Sequence, residues 1–208
     1  MKSVLLLEDG TCFVGKSFGQ PGETAGEVVF NTSMAGYQEI VANPSYCGQI
    51  VVMAYPLIGN CGFNEGDQQS SKPHVRGLAV KELCDAPSHW SCTTSPEEYF
   101  RKHGITGIKG IDTRALVQHI RDNGTMFGLI STETGNIDCL MEKLKRKKQE
   151  KHNPVEEVTR QQPVHIPGPS KKVAVLDFGV VLLNGCFDVG DEHGLAFAVS
   201  AFGVPADQ

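Results

Sequence analysis

From His152 to Ser170 the chain reads HNPVEEVTRQQPVHIPGPS, with four prolines in nineteen residues. Each proline fixes φ and removes an amide donor, so neither a long helix nor a central strand can run through such a stretch. It reads as a partly extended linker, and it divides the 208 residues unequally. A first domain is expected over residues 1–151, a linker over 152–170, and a second segment over 171–208. That segment opens with KKVAVLDFGVVLL, a continuous apolar run of the kind found in strands buried on both faces of a parallel sheet. The 38 residues from Lys171 onward are too few for a doubly wound sheet. The expectation is therefore the first strand of an incomplete α/β domain.

The first domain reads as α+β, strands mixed with short helices rather than a regular βαβ series. VLLLE and TCFVG flank Asp9-Gly10, a hairpin signal suited to a two-residue type I′ turn. Further β-type runs are Glu27–Asn31, Gln49–Tyr55, Val75–Val80, Thr106–Ile111 and Thr125–Ser131. Three helices carry clear boundaries. In SPEEYFRKHG, Ser95 caps, Pro96 fits the first helical position, Glu98 completes a capping box and Gly104 stops the helix. In DTRALVQHIRDNG, Asp112 caps and Gly124 terminates. In NIDCLMEKLKRKKQEK, Ile137, Leu140, Met141 and Leu144 form an apolar stripe.

The composition is that of a globular chain, 40% hydrophobic and 21% charged. A net charge of −5 gives no basic footprint for nucleic acid. The basic run KLKRKKQEK has no interleaved aromatics and reads as the solvated last turn of a helix. No stretch of eighteen apolar residues exists for a membrane span. The four-residue apolar stretch near Met1 is too short for a signal peptide. Seven cysteines are scattered without a CxxC pair, which suggests reduced, mostly buried thiols in a cytoplasmic protein.

Catalytic signatures are weak. Glu23, Glu27, Glu39, Glu65 and Asp67 are expected to be surface charges unless the fold pairs them. His74, His89, His103 and His119 stand alone. Asp177-Phe178-Gly179 lacks the other kinase motifs and places Asp177 at the end of a strand. Cys186 with His193 would be an incomplete nucleophile and base, since Asp188 stands where a small residue is needed. NGCFD faintly looks like the opening of bacterial nucleotidyltransferases, but the phosphate-binding H-x-G-H does not follow.

Three ordered blocks make a specific match. LLLEDGTCFVGKSFG, GEVVFNTSMAGYQEIVANPSYCGQIVVMAYPLIGN and GIDTRALVQHIRDNGTMFGLIS together resemble the small subunit of glutamine-dependent carbamoyl-phosphate synthase. The likeness covers residues 3 to 132 and resumes at Val155–Thr159 and Val173–Val180. It implies a swivelling β/β/α N-terminal domain that docks on a large synthetase subunit. It also implies a class I glutamine amidotransferase domain using a Cys, a His and a Glu. ATP and Mg would be bound by the large subunit, leaving no cofactor in this chain. Glutamine would bind only with a complete amidotransferase domain. Within the D/N-P-S-Y segment, here Asn43-Pro44-Ser45-Tyr46, the resemblance assigns Ser45 to glutamine binding. On its own residues and spacing, Ser45 reads as a cap of its own turn, and only the resemblance points to glutamine.

The resemblance fades after DFGV, where VVLLNGCFDVGDEHGLAFAVSAFG replaces the expected basic stretch. The G-x-C-x-G nucleophile segment is not found. The chain is expected to keep the docking domain, for arginine and pyrimidine synthesis, without hydrolysing glutamine by itself. The alternative is a non-catalytic, stand-alone binding module whose contact surface includes Met34-Ala35-Gly36-Tyr37.

Overall fold

In a computed structural model, the described residues are 1–64, 70, 72–150 and 152–159, with the backbone of strands at 164–165, 173–177 and 196–200. The chain divides into two compact units, Met1–His152 and Asn153–Gln208.

The first unit is built from β1 (Lys2–Leu7), β2 (Cys12–Gly19), β3 (Glu23–Asn31), α1 (Tyr37–Ala42), β4 (Gln49–Met53), β5 (Leu57–Ile58), β6 (Gly77–Val80), β7 (Glu82–Leu83), α2 (Pro96–Lys102), β8 (Thr106–Lys109), α3 (Thr113–Asn123), β9 (Met126–Ser131) and α4 (Ile137–Gln149). Seven of these strands close into a barrel in the order β1-β2-β8-β6-β4-β3-β9. β3, β4, β6 and β8 run parallel to their neighbours in that series, and the other pairings are antiparallel. The seam closes where Val4 faces Val14 on one side and Ser131 on the other.

Strand alternation explains why so many strand residues are buried. Leu5 and Leu7 join Val28, Ile50, Val52, Ala79, Ile108 and Ile130 in one cluster, with Phe13 packed against it. All seven barrel strands thus contribute to a single interior, and Leu116 and Ile120 of α3 pack into it. Val4 and Leu6 point the opposite way, as period-two geometry requires, and meet Leu140 and Leu144 of α4. Val51, Met53, Leu78 and Val80 face a third cluster with α1 and α2, rich in aromatics. There Phe63 stacks on Tyr99 at 3.9 Å between ring centroids, and Phe100 meets both rings edge-on.

The mixed α and β content follows the sequence, while several local readings are corrected. The hairpin loop holds three residues, Glu8 to Gly10. The Gly10 amide donates to Leu7 O and the Leu7 amide to Thr11 O, with Gly10 at φ 91°. This is a turn followed by a bulge, and Gly10 is needed in the left-handed position rather than as the second residue of a type I′ turn. The run at Glu27 begins four residues earlier, at Glu23, because β9 pairs along its whole length. The runs starting at Gln49 and Thr106 stop at Met53 and Lys109, and that starting at Val75 begins at Gly77. Of the six cysteines among the described residues only Cys47 is buried, so the expectation of mostly buried thiols fails, while none of the six is joined in a disulfide.

The second unit contains α5 (Pro154–Val158), β10 (Val164–His165), β11 (Val173–Asp177) and β12 (Ala196–Ser200). Proline suits the first turn of a helix. Asn153 accepts from the Glu156 amide, so the segment read as partly extended starts with a capped helical turn. β11 pairs in parallel with β12, which also pairs antiparallel with β10. Asp177 ends β11. Phe178, Gly179, Gly185, Cys186, Asp188 and His193 lie outside the described residues, as do Glu65 and Asp67. Among the described residues no helix is long and apolar enough to cross a membrane.

Candidate functional site

β3 and β4 are parallel neighbours, and parallel strands cannot be joined by a tight turn. The long segment after Asn31 is therefore a crossover, with α1 as its helix. Asn31 organises it. Its side chain accepts from the Ser33 amide at 2.7 Å and donates to the Tyr46 hydroxyl at 3.0 Å, while its carbonyl accepts from the Ala54 amide at 2.9 Å. Met34, Ala35 and Gly36 between these anchors are exposed, Met34 at 69%.

The structure splits the tetrapeptide singled out as a contact surface. Tyr37 turns inward, and its hydroxyl donates to Gly62 O at 3.0 Å. Gln38 holds the Asn64 backbone from both sides. Its carbonyl accepts from the Asn64 amide at 3.0 Å, and its NH2 donates to Asn64 O. These bonds fix α1, which begins at Gly36 (φ 74°) with no side-chain cap.

After α1, Pro44–Tyr46 forms a single 3-10 turn. Asn43 caps it, accepting from the Ser45 amide at 2.8 Å. The cap is thus supplied by Asn43 and not by Ser45. The Ser45 side chain is exposed and makes no hydrogen bond among the described residues. A hydroxyl both donates and accepts, and here it is presented on a turn stiffened by Pro44 and the Asn43 cap. The arrangement suits binding a polar group. Chemistry would need a nucleophile and base elsewhere.

The other candidate residues are dispersed. Glu23 accepts from Lys143 at 2.8 Å and from Ser131 at 3.1 Å. Burial alone would raise its pKa, but these bonds outweigh it and hold the carboxyl below its ordinary value. Glu8 is held low chiefly by its hydrogen bond from Lys148, against a smaller opposing effect of burial. Glu27 accepts from Gln49, and Glu39 lies exposed in the first turn of α1. Lys143 and Lys148 of α4 thus reach Glu23 and Glu8, while Lys145 and Arg146 stay exposed, as the reading of a solvated last turn expects. Beside this end of α4 lies a cleft of about 320 Å³. Its lining mixes Arg76, Lys147 and Lys148 with Glu23 and Glu150, so neither charge dominates.

The histidines are also accounted for. His119 meets Asp9 at 2.6 Å, tying the hairpin loop to α3. His74 meets Ser70 at 2.9 Å, His89 meets Ser91 at 2.7 Å, and His103 lies against the Tyr99 ring. Among these contacts none joins a nucleophile, a base and an orienting acid. Sequence reasoning missed Asn31, whose three bonds are invisible without knowing that β3 and β4 are parallel.

The fold is a closed seven-stranded barrel with an ordered crossover that carries Ser45 on an exposed turn. The family model for the carbamoyl-phosphate synthase small chain, CPSase domain, matches residues 5–130, from β1 to β9. The chain belongs to this family. It is 47% identical over 196 residues to the carbamoyl phosphate synthase small chain of Syntrophotalea carbinolica, covering 86% of this chain and 52% of that protein. The pyrimidine-specific small chain of Halalkalibacterium halodurans is 46% identical over 183 residues, covering 86% and 49%. A small chain from Nitratidesulfovibrio vulgaris is 42% identical over 205 residues, covering 98% and 53%, so this likeness extends into the segment after Val180. The chain spans about half the length of the curated relatives it matches.

Proposed function

We propose that residues 1–152 act as the docking half of a glutamine-dependent carbamoyl-phosphate synthase small subunit. They attach to a large synthetase subunit and present Ser45 to glutamine held by an amidotransferase domain. The observation that carries the reading is the family match over residues 5–130, combined with a Ser45 side chain exposed on a capped turn. The role assigned to these residues is non-catalytic, since they bring no nucleophile and base together. Carbamoyl phosphate would be made on the large subunit, with ATP and Mg bound there, for the pyrimidine and arginine routes.

The docking surface we assign lies at the carboxyl ends of β3 and β4. Phe30, Met34, Tyr55 and Leu57 are all exposed there, and such residues are typical of interface centres. Co-elution of the chain with the large subunit from Syntrophotalea carbinolica tests the first claim, and Met34→Asp is expected to weaken the complex. No complex with the unaltered chain would overturn the reading in favour of a stand-alone module. For Ser45, the barrel is joined to the amidotransferase half of the same relative's small chain. Ser45→Ala is expected to raise KM for glutamine about threefold to tenfold, the worth of one hydrogen bond. An unchanged KM would remove Ser45 from the pocket.

A further inference from the structure

Two cysteines that play no part in the reading above are brought together by the fold. Cys61 is exposed and Cys92 is partly buried, and both are free thiols. They sit on segments held in register by a two-way backbone bridge. The Phe63 amide donates to Thr94 O at 3.0 Å, and the Thr94 amide to Phe63 O at 3.1 Å. Cys92 lies directly over Gly62, the residue next to Cys61. A side chain on Gly62 would overlap the Cys92 sulfur and come within 2.9 Å of Cys92 Cβ. Gly62 also has φ +68°, so glycine serves both the turn and the room above it. One Cα step of about 3.8 Å separates Gly62 from Cys61. The Tyr37 hydroxyl donates to Gly62 O at 3.0 Å, which ties the same turn to α1.

We propose that Cys61 and Cys92 form a redox-active thiol pair that a low-molecular-weight disulfide converts to an intramolecular disulfide. The exposed Cys61 thiolate attacks one sulfur of the small disulfide. Its S–S bond breaks, and one small thiolate leaves. The Cys92 thiolate then attacks the Cys61 sulfur of the mixed disulfide and displaces the second small thiolate. The two protons lost by the cysteines pass to the two thiolates released. The protein loses two electrons and the small disulfide gains them. Cys92 is placed as the resolving thiol because it is sheltered, with its S–H directed at Thr94 O at 3.5 Å. The new bond would staple the loop that anchors α1 through Tyr37 and Gln38, the helix leading to the Ser45 turn.

The test uses the full chain with oxidised glutathione, followed by acid quenching, alkylation, digestion and mass spectrometry. The expected product is one peptide pair joined through Cys61 and Cys92, lighter by two hydrogens and restored by dithiothreitol. Cys92→Ser should instead accumulate glutathione on Cys61, and Cys61→Ser should lose the cross-link. Unchanged urea midpoints of the reduced variants establish that both remain folded. A stable glutathione adduct on Cys61 of the unaltered chain overturns the proposal. So does joining of Cys61 to Cys84, or no reaction at either thiol.

Discussion

Two tyrosines in one aromatic cluster should respond oppositely to loss of their hydroxyls. Tyr99 is 4% exposed, and its hydroxyl is buried without a hydrogen-bond partner among the described residues. A buried, unsatisfied polar group costs about 1–3 kcal/mol. Tyr99→Phe removes that cost and keeps the ring stacked on Phe63. The small void left by one oxygen returns a few tenths of a kcal/mol. The net expectation is stabilisation by about 1 kcal/mol, or roughly 2–4 °C in Tm for a unit of this size. Tyr37 is equally buried, but its hydroxyl donates to Gly62 O. Tyr37→Phe should therefore destabilise by about 1–2 kcal/mol, having stripped a partner from a carbonyl. Urea unfolding of the full chain, followed by circular dichroism, reads both variants under one set of conditions. A lower midpoint for Tyr99→Phe would show that its hydroxyl is satisfied, and the energetic assignment of this cluster would be wrong.

Three further outcomes are expected. Gly107→Ala would drive a methyl into the Phe18 ring, which is itself wedged edge-on against Phe100, and should cost about 1–3 kcal/mol; adding Phe18→Leu should recover part of the loss in the same urea assay. Glu8 and Glu23 have lowered pKa values when folded, so their stabilisation is present above the ordinary 4.5 and lost as pH falls through the depressed folded values. Tm should drop in that acid window, and the Glu8→Gln, Glu23→Gln double variant should flatten the drop; equal slopes would rule out this stabilisation. Asp112 accepts from the Ala115 amide at 3.0 Å at the start of α3. Asp112→Ala should lower stability by about 1 kcal/mol while Asp112→Asn largely preserves it.

Helices with chemical punctuation were legible in the sequence. Ser95, Asp112 and Asn136 each accept a backbone amide at the start of their helix, as their residue types suggest. α1 was illegible because it has six residues and starts at a glycine that offers no side-chain cap. Barrel closure was illegible for a different reason. The apolar run in VLLLE indicates a strand, but nothing local says that Val4 will face Ser131. Long-range pairing also hid the role of Asn31 and the parallel relation that makes the following segment long. Ser45 was indicated by resemblance alone; its own residue type and spacing suggested a cap, a role taken by Asn43.

The seam between β1 and β9 has a consequence in time. As the chain leaves the ribosome, β1 must wait for β9, the last of the barrel strands in chain order. At about 5–20 residues per second, the interval from Leu7 to Met126 lasts roughly ten seconds. Throughout it, β1 and β3 each keep one side of their hydrogen-bonding groups unpaired, the condition in which nascent strands stick to one another. Once Ser131 has emerged the circle can shut, and those unpaired edges are consumed together. A nascent chain of this protein is thus most vulnerable just before it becomes most closed. The β9 segment acts as a clasp, and synthesis itself decides when it fastens.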